Sequence, residues 1–209
     1  MANQPKSVLI VDDHPVLREG LIAILRDEPG LVVVGEAGTA DDALRLHQEL
    51  RPDLILMDLR LPDKSGAEAT AQILHADPGA CIIVFSSYSG DEDIYRCLQA
   101  GARAYLLKDM LRTELLVAIH TALAGRRYLP RAVRQRLRER QGTKSLTPRE
   151  LEILRLIAKG LRNREIARVL GSSEGTIRIH ISNILHKLKA TDRTEAAVQA
   201  IARGIIPLE

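Results

Sequence analysis

Short apolar runs alternate with amphipathic segments through residues 7–125, and no other feature of the sequence restricts the fold as strongly. The apolar runs are continuous and rich in Val, Ile and Leu, as is typical of strands covered on both faces. The runs are SVLIV, LVVVGEA, LILMD, CIIVFS and AYLL, and the amphipathic segments between and after them cover residues 15–27, 39–50, 65–76, 91–100 and 112–125. This repeat predicts an α/β fold with a doubly wound, five-stranded parallel sheet.

Charge divides the chain into an acidic and a basic part. The net charge of the 209 residues is +3, but residues 1–125 hold 11 Lys and Arg against 19 Asp and Glu, and residues 126–209 hold 19 against 8. A compact basic segment attracts a polyanion such as nucleic acid. Because the chain is long enough for two domains, we expect a first domain over residues 6–125, a linker with a short helix over 126–145 and a second domain over 146–209.

The sequence also indicates where the protein is located. No apolar run approaches the length of a membrane span, and the N-terminal MANQPKSVLIVDD is too short in apolar residues for a secretory signal. Cys81 and Cys97 have no metal-binding spacing and are interpreted as reduced thiols. We therefore expect a cytoplasmic protein with no membrane partner.

Polar side chains follow the predicted strands of the first domain. Asp12 and Asp13 end the first strand, Asp58 ends the third, Ser86 ends the fourth and Lys108 follows the fifth. Taken singly, each has a structural explanation, such as a cap, a turn or a surface charge. The carboxyl ends of parallel strands meet at one edge of a sheet, however, and carboxylates held close together there need a cation such as Mg²⁺. With a lysine and a hydroxyl beside it, Asp58 is predicted to be a nucleophile for a phosphoryl group.

The second domain begins with a strong helix start. Thr147, Pro148 and Glu150 stand at the cap, first and third positions of a helix predicted to extend to Lys159. A short helix over residues 163–170 ends before Gly171, and a third helix capped by Ser172 and Ser173 extends to Leu188. Two helices joined by a short turn containing Gly predict a helix-turn-helix in an all-α domain.

The third of these helices has two distinct faces. A stripe at helical spacing predicts the core side and consists of Ile177, Ile181, Ile184 and Leu188. Another face carries small, cationic and branched residues, namely Gly175, Arg178, Ile179, Ser182 and His186. That mixture suits the floor of a DNA major groove. An ordinary amphipathic helix with a solvated side is the alternative.

The motifs VDDHP, LMDLRLPDKSG, VFSS and GARAYLLKD resemble the receiver domain of bacterial two-component response regulators over residues 6–125. The resemblance implies the flavodoxin-like (CheY-like) fold and a Mg²⁺ site. Asp13, Asp58 and the backbone carbonyl of Arg60 would ligate the ion, while Asp12 would act through metal-bound water. Asp58 would accept a phosphoryl group from a cognate histidine kinase.

Further roles follow from the same resemblance. Lys108 would pair with the phosphoaspartate, and Ser86 would hydrogen-bond it. Tyr105 matches the aromatic residue that moves inward when this hydroxyl is drawn to the phosphate; a half-buried aromatic that fills space is the alternative. Pro62 and Gly66 fit the loop and the approach to the helix that follow the phosphorylated strand.

Residues 146–206 resemble the LuxR-type DNA-binding domain, and its combination with a receiver resembles the NarL/FixJ class of response regulators. The resemblance implies that base edges are contacted by Arg178, Ile179 and Ser182. It implies phosphate contact or positioning by Asn163, Arg164, Thr176, His180 and Lys187. A last helix over residues 193–203 would serve dimerisation. Gly175 departs from the family, which more often has a longer residue there.

These features predict a transcription regulator controlled by phosphorylation. Its expected partners are the kinase, double-stranded promoter DNA and a second copy of the chain, at least when phosphorylated, with RNA polymerase as a further candidate. Phosphorylation would switch dimerisation, exposure of the DNA-binding helix, or both.

Two alternatives remain open at this point. One is an aspartyl-phosphate phosphotransfer enzyme of the haloacid-dehalogenase type, and the other is a DNA-binding protein whose receiver works without phosphorylation. The first would place a second Asp two residues after the nucleophile, where this chain has Arg60. Arg60 and Tyr88 are large enough to cover the acyl phosphate against attacking water, and neither is an evident base for that water. We therefore expect slow self-dephosphorylation, and no enzyme activity beyond the receiver's own phosphotransfer.

Overall fold

A computed structural model describes residues 4–87, 90–140 and 145–206. The chain forms two compact units, the first from Met1–Ser89 with Ile94–Gln135 and the second from Gly90–Asp93 with Arg136–Glu209. The domain limits drawn from the sequence at residues 125 and 146 stay a prediction. Among the described residues, no helix is both long and apolar enough to cross a membrane.

Strands and helices alternate through residues 6–123 as the sequence predicts. The elements are β1 (Lys6–Val11), α1 (Pro15–Arg26), β2 (Leu31–Ala37), α2 (Ala40–Leu50), β3 (Leu54–Met57), α3 (Gly66–Ala76), β4 (Ile82–Ser86), α4 (Asp91–Ala100), β5 (Ala104–Leu107) and α5 (Arg112–Leu123). All neighbouring strands pair in parallel in the order β2-β1-β3-β4-β5. The predicted doubly wound, five-stranded parallel sheet is confirmed.

Both faces of the central strands are buried, because successive side chains of a strand point to opposite sides. Ile10 and Leu56 belong to a core cluster that also contains residues of α1 and α5. Leu9 and Ile55 belong to the cluster formed with α2 and α3. The continuous apolar sequences of β1 and β3 are explained by this double cover.

The strand β2 departs from the expected pattern, because its burial alternates. Val32 and Val34 are 41% and 37% exposed, so the expectation that every strand is covered on both faces is wrong for β2. The physical reason is its position, since β2 is the last strand on its side of the sheet. At the opposite edge, Tyr128 forms a parallel bridge with Ala104, and its backbone N–H donates to the carbonyl of Arg103 at 3.0 Å.

Helices α6 to α10 follow α5 in the chain. They are α6 (Arg131–Arg140), α7 (Pro148–Ala158), α8 (Asn163–Val169), α9 (Glu174–Leu188) and α10 (Arg193–Ala202). Apolar residues of the last four form one core cluster that includes Ile153, Ile166, Ile177, Ile184 and Ala200. The predicted all-α helix-turn-helix is confirmed, with α8 and α9 separated by a turn at Gly171, where φ is +59°.

Candidate functional site

The polar residues at the strand ends lie on four neighbouring strands. Asp12 directly follows β1, Asp58 directly follows β3, Ser86 is the last residue of β4 and Lys108 directly follows β5. Because β1, β3, β4 and β5 are adjacent and parallel, their carboxyl ends form one rim of the sheet. We call this the acidic rim, and define it by Asp12, Asp13, Asp58, Ser86 and Lys108.

Lys108 connects two carboxylates of the acidic rim. Its Nζ lies 2.6 Å from Oδ2 of Asp12 and 2.8 Å from Oδ2 of Asp58. All three side chains are largely buried, with exposed fractions of 12% for Lys108, 2% for Asp12 and 4% for Asp58. An ammonium shared by two buried carboxylates offsets the repulsion between them at short range.

Burial and ion pairing act in opposite directions on the pKa values of this rim. Burial raises the pKa of Asp58, and the hydrogen bond from Lys108 opposes that rise without cancelling it. Burial alone would lower the pKa of Lys108, but its hydrogen bonds to Asp12 and Asp58 raise it. The two carboxylates therefore favour the protonated form of Lys108, and its hydrogen bond favours the charged form of Asp58 against the effect of burial.

The acidic rim has the donor atoms for a divalent cation. One ligand atom from each of Asp12, Asp13, His14 and Asp58 lies within 4.8 Å of the other three. Carboxylate oxygens are the ligands that Mg²⁺ prefers, so the donor set fits that ion. The cation site predicted from the sequence did not include His14, although the position of this histidine directly after Asp13 in VDDHP indicates that it lies beside the carboxylates.

The loop after β3 is fixed by a glycine. A Cβ on Gly66 would lie 1.9 Å from the backbone oxygen of Asp58, so no other residue fits without moving the backbone. The backbone N–H of Gly66 donates to the carbonyl of Leu59, and Arg60 bridges to Ser65. This explains the glycine expected there, because α3 begins in contact with the main chain of Asp58.

Ser86 and Tyr105 are both fully buried. The carbonyl of Ser86 accepts a hydrogen bond from the backbone N–H of Lys108 at 2.9 Å, which holds the ends of β4 and β5 together. Tyr105 is paired with Val84 in the sheet. It is fully buried, whereas the space-filling alternative supposed a half-buried side chain. Its role as a switch stays a prediction, and Tyr88 lies outside the described residues.

The helix α9 presents the face that the sequence assigned to DNA. Ile177, Ile184 and Leu188 are buried in the core, and Ile181 packs against it. On another side, Arg178 and Ser182 are exposed, and Ile179 is 64% exposed. An exposed branched residue between polar neighbours suits a surface that contacts base edges. We call Arg178, Ile179 and Ser182 the reading face.

Arg178 has a partner on its own helix. Its Nη2 lies 2.9 Å from Oε1 of Glu174, four residues earlier, and the two side chains are 69% and 44% exposed. Exposed pairs of this kind contribute little to stability. The guanidinium of Arg178 is therefore accessible to another acceptor.

The predicted phosphate-contacting residues differ in exposure and in their partners. Arg164 and Thr176 are exposed, whereas His180 is half-buried. The side-chain oxygen of Asn163 accepts a hydrogen bond from Arg193 at 3.4 Å.

Lys187 is engaged with a buried carboxylate. Its Nζ lies 2.6 Å from Oε2 of Glu150, whose side chain is only 4% exposed. The same oxygen accepts the backbone N–H of Thr147 at 2.7 Å, which completes the capping box of α7. Burial tends to raise the pKa of Glu150, but the hydrogen bonds from Lys187 and Thr147 lower it below its ordinary value. Lys187 thus ties α9 to the start of α7.

Comparisons with known proteins agree with both parts of the chain. Residues 8–120 match the family described as "Response regulator receiver domain", and residues 144–200 match "Bacterial regulatory proteins, luxR family". The chain is 40% identical to the nitrate/nitrite response regulator protein NarL of Escherichia coli K12, over 95% of this chain and 96% of NarL. It is 43% identical to the transcriptional regulatory protein LiaR of Bacillus subtilis, over 92% of this chain and 95% of LiaR.

A solved structure is similar as well. RcsB of Salmonella enterica serovar Typhimurium, bound to promoter P1flhDC in the presence of phosphomimetic BeF3⁻, superposes with a TM-score of 0.76 at 26% identity, over 95% of this chain and 99% of RcsB. These matches cover nearly the whole chain and agree with the order of the strands and with the helix-turn-helix. The chain belongs to the response regulators that join a receiver domain to a LuxR-type DNA-binding domain.

Proposed function

We propose that this response regulator is phosphorylated on Asp58 by a histidine kinase and that phosphorylation controls its binding to promoter DNA. The observation that carries the proposal is the position of Lys108, whose Nζ contacts both Asp12 and Asp58 in the buried part of the acidic rim. A cation at that position stabilises negative charge on a phosphoryl group that reaches Asp58.

The transfer needs few groups from the protein. An oxygen of the Asp58 carboxylate attacks the phosphorus of a phosphohistidine, the N–P bond breaks, and an O–P bond forms to give an acyl phosphate. The imidazole of the donor leaves with the electron pair of the broken bond. The ammonium of Lys108 then contacts the phosphoryl oxygens in place of the carboxylate, since its side chain already reaches both Asp12 and Asp58.

Mg²⁺ fits the carboxylates of the acidic rim, and Asp13 and Asp58 are the residues proposed to hold it together with the backbone carbonyl of Arg60. Asp12 would act through metal-bound water. When bound, the ion supplies positive charge that screens the carboxylates from the incoming phosphoryl group. Asp12 and Asp13 would position the ion. Asp12 is itself held by its contact with Lys108 and by the backbone N–H of His14, which donates to its Oδ1 at 2.9 Å.

We assign Ser86 and Tyr105 to the response that follows phosphorylation. Ser86 lies at the end of β4, between the strands that carry Asp58 and Lys108, so its hydroxyl is proposed to hydrogen-bond the phosphoryl group. Tyr105 occupies a buried position on the neighbouring strand. A change at Ser86 is proposed to pass to Tyr105 through the adjacent backbone of β4 and β5.

The reading face is proposed to enter the major groove of double-stranded promoter DNA. Arg178 would bond a base edge, Ile179 would contact a thymine methyl group, and Ser182 would donate or accept at a third position. Phosphate contacts are assigned to Asn163, Arg164, Thr176, His180 and Lys187. The ion pair of Lys187 with Glu150 makes Arg164 the better residue for testing such contacts, because Arg164 is exposed.

Assembly and location belong to the same proposal. We propose a homodimer on two half-sites, with α10 as the dimerisation helix, and a cytoplasmic protein whose only phosphotransfer chemistry is its own phosphorylation and slow dephosphorylation. The DNA-bound RcsB structure supports binding of promoter DNA by this class of protein. The kinase, and RNA polymerase as a further partner, follow from the class alone.

The direct test is phosphorylation by a small donor. The full chain incubated with acetyl phosphate and Mg²⁺ should gain one phosphoryl group, located on Asp58 by mass spectrometry. Asp58→Asn should remove the label, and Asp13→Ala should reduce it strongly by weakening cation binding. Asp27→Asn, a change at an exposed carboxylate with a 3.5 Å contact to Arg112, is the control and should label normally. A label that persists in Asp58→Asn contradicts the proposal.

A further inference from the structure

Helix α6 and the residues just before it are rich in arginine. Residues 126–140 contain seven arginines, no lysine and a single acid, Glu139. Five of these arginines belong to α6 itself, Arg131–Arg140. None of them belongs to the reading face or to the phosphate contacts assigned above. A helix of this composition is either simply solvated or binds an anion, and the position of each arginine distinguishes the two.

Three of the arginines form a stripe along one side of α6. Arg131, Arg134 and Arg138 are three and four positions apart, which places them within about 60° of one another around the helix and over about 10 Å of its length. All three are exposed. A different side of the helix is covered, because Val133 is 1% exposed and Leu137 is half-buried. We call Arg131, Arg134 and Arg138 the arginine stripe.

Two arginines of α6 outside the stripe have acidic partners. Nε of Arg140 lies 2.9 Å from Oε2 of Glu92, and Nη1 of Arg136 lies 3.7 Å from Oε2 of Glu139. Within the residues that the structure describes, the three guanidinium groups of the arginine stripe form no ion pair with Asp or Glu. The acids near α6 therefore neutralise the other arginines and leave the charge of the stripe uncompensated.

Uncompensated charge of this kind disfavours the free helix. Like charges three and four positions apart on a helix repel each other, and no acid stands between Arg131 and Arg138 in the sequence. Phosphate groups placed along the stripe would remove that repulsion. Guanidinium groups also bind phosphate oxygens in a bidentate geometry that lysine lacks. The arrangement therefore favours a ligand with several phosphates in a row.

Nucleic acid and an anionic membrane both present rows of phosphate. A helix that lies on a membrane buries exposed apolar side chains among the lipids, whereas the large apolar residues of α6, Val133 and Leu137, are not exposed. Duplex DNA carries one negative charge for about 1.7 Å of its axis, so a stripe of about 10 Å faces several phosphates. DNA is therefore the partner that the stripe fits.

We propose that the arginine stripe of α6 is a second DNA-binding surface, which contacts phosphates without regard to base sequence. It adds affinity and salt dependence but no base preference. The inference rests on the proposed function in one respect, since the reading face brings the DNA to the chain. The boundary between the two compact units falls within α6, so the stripe is a property of this helix alone.

The test uses the full chain and two fluorescent duplexes, one with the preferred site obtained by binding-site selection and one of unrelated sequence. Arg131→Gln, Arg134→Gln and Arg138→Gln are combined, because glutamine is a good helix former. At about 0.1 M salt the Kd for both duplexes should rise by at least about tenfold, and the slope of log K against log salt should fall by about two to three for each bound chain. The preference for the selected site should stay within about twofold.

Two further variants serve as controls. Arg26→Gln, Arg45→Gln and Arg51→Gln together remove the same charge from exposed positions of the chain, and both Kd values should stay within about twofold because distant surface charges are screened by salt. Lysine at the three stripe positions keeps the charge and should preserve the salt slope, with part of the affinity lost. Circular dichroism should be the same for all variants.

Each outcome decides the matter. Unchanged affinity and salt slope in the stripe variant overturn the inference, and if phosphatidylserine vesicles then bind the unsubstituted chain but not the variant, the stripe serves a lipid surface instead. An equal loss in the two glutamine variants also overturns it, because net charge alone would be responsible. If the unsubstituted chain binds both duplexes equally and needs the stripe for both, the reading face is wrong and the stripe stands. Binding of neither duplex overturns both.

Discussion

The acidic rim and the reading face use charge in opposite ways. At the rim, Lys108, Asp12 and Asp58 are buried and bonded to one another before any ligand arrives. On α9, Arg178 is 69% exposed and its ion pair with Glu174 lies in solvent. The same kinds of side chain therefore contribute very differently to stability, because the effective dielectric around them differs.

This difference fits the two tasks proposed for these residues. The proposed chemistry at one atom of Asp58 requires charges that are already in place, since reorganising them during transfer would add to the barrier. Recognition of a long polyanion tolerates mobile side chains, which are ordered by the DNA when it binds. Buried charge makes the rim sensitive to a single substitution, whereas the reading face should accept substitutions with little effect on folding.

The largest expected effect on stability is that of Lys108→Met. This change leaves two buried carboxylates without their shared cation, and removing one partner of a buried ion pair typically costs about 3–5 kcal/mol. We expect a loss of about 3 kcal/mol in the free energy of unfolding at pH 8 without Mg²⁺. The measurement is urea denaturation followed by circular dichroism. Lys64→Met is the control, because the partner of Lys64, Asp41, is 71% exposed.

The pH dependence of the Lys108→Met variant sharpens this prediction. Burial raises the pKa of Asp58, so the folded state takes up a proton at Asp58 more readily than the unfolded state does. Stability should therefore increase as the pH falls through the folded pKa of Asp58, and the deficit of the variant should shrink as the pH is lowered from 8 towards the ordinary pKa of an aspartate. A deficit no larger than that of Lys64→Met over this whole range would show that the rim tolerates its unpaired charges.

An intermediate effect is expected from the Glu150–Lys187 pair, a largely buried ion pair between α7 and α9. Lys187→Met should cost about 1–3 kcal/mol by leaving a buried acceptor without its cation, and Glu150→Gln should cost less because its amide oxygen still caps α7. Hydrogen exchange of the α7 amides would measure the loss locally. If protection in α7 is the same in both variants and the unsubstituted chain, the tie between α7 and α9 does not contribute to stability.

Acid should weaken the same pair. The pKa of Glu150 is lowered from 4.5 in the folded state, so its contribution is complete above the unfolded pKa and is lost as the pH falls through the folded value. The stability difference between the unsubstituted chain and Glu150→Gln should accordingly narrow below about pH 4.5. A difference that is independent of pH would show that the charge of Glu150 does not matter.

The smallest effect on stability is expected from Arg178→Ala, within about 0.5 kcal/mol, because its ion pair is exposed. Its effect on DNA should be specific, with a loss of about 1–3 kcal/mol of discrimination at one base position. Arg164→Ala should instead weaken all sequences alike and reduce the salt dependence. Binding-site selection followed by salt titrations would distinguish the two. Full base preference in Arg178→Ala would mean that the reading face is elsewhere.

The sequence predicted the elements well where one local signal and one periodicity agreed. The capping pattern of Thr147 and Glu150 fixes the start of α7, and the apolar runs of β1, β3, β4 and β5 become strands with buried faces. The rim followed from the rule that parallel strands end together. This information is contained in the order of the residues and the type of their side chains, so it can be predicted before the packing is known.

What could not be predicted depends on contacts between distant parts of the chain. The engagement of Lys187 with Glu150 joins residues 37 positions apart, and on a single helix Lys187 cannot be distinguished from a solvated cation. The exposure of Val32 and Val34 depends on the order of strands in the sheet, which the composition of β2 does not reveal. His14 was missed because the oxygen-only view of Mg²⁺ sites directs attention to carboxylates.

The partly exposed strand β2 bears on solubility. Its outer backbone groups and the side chains of Val32 and Val34 form a surface to which a strand from another molecule can add. Two features oppose such growth, namely the irregularity in the β1–β2 pairing between Val8 and Leu9, and the exposed carboxylate of Glu36 beside Arg18. In the part of the chain that the structure describes, the features opposing strand addition at this edge are thus a local distortion and a charge, whereas the segment at Tyr128 covers the opposite edge.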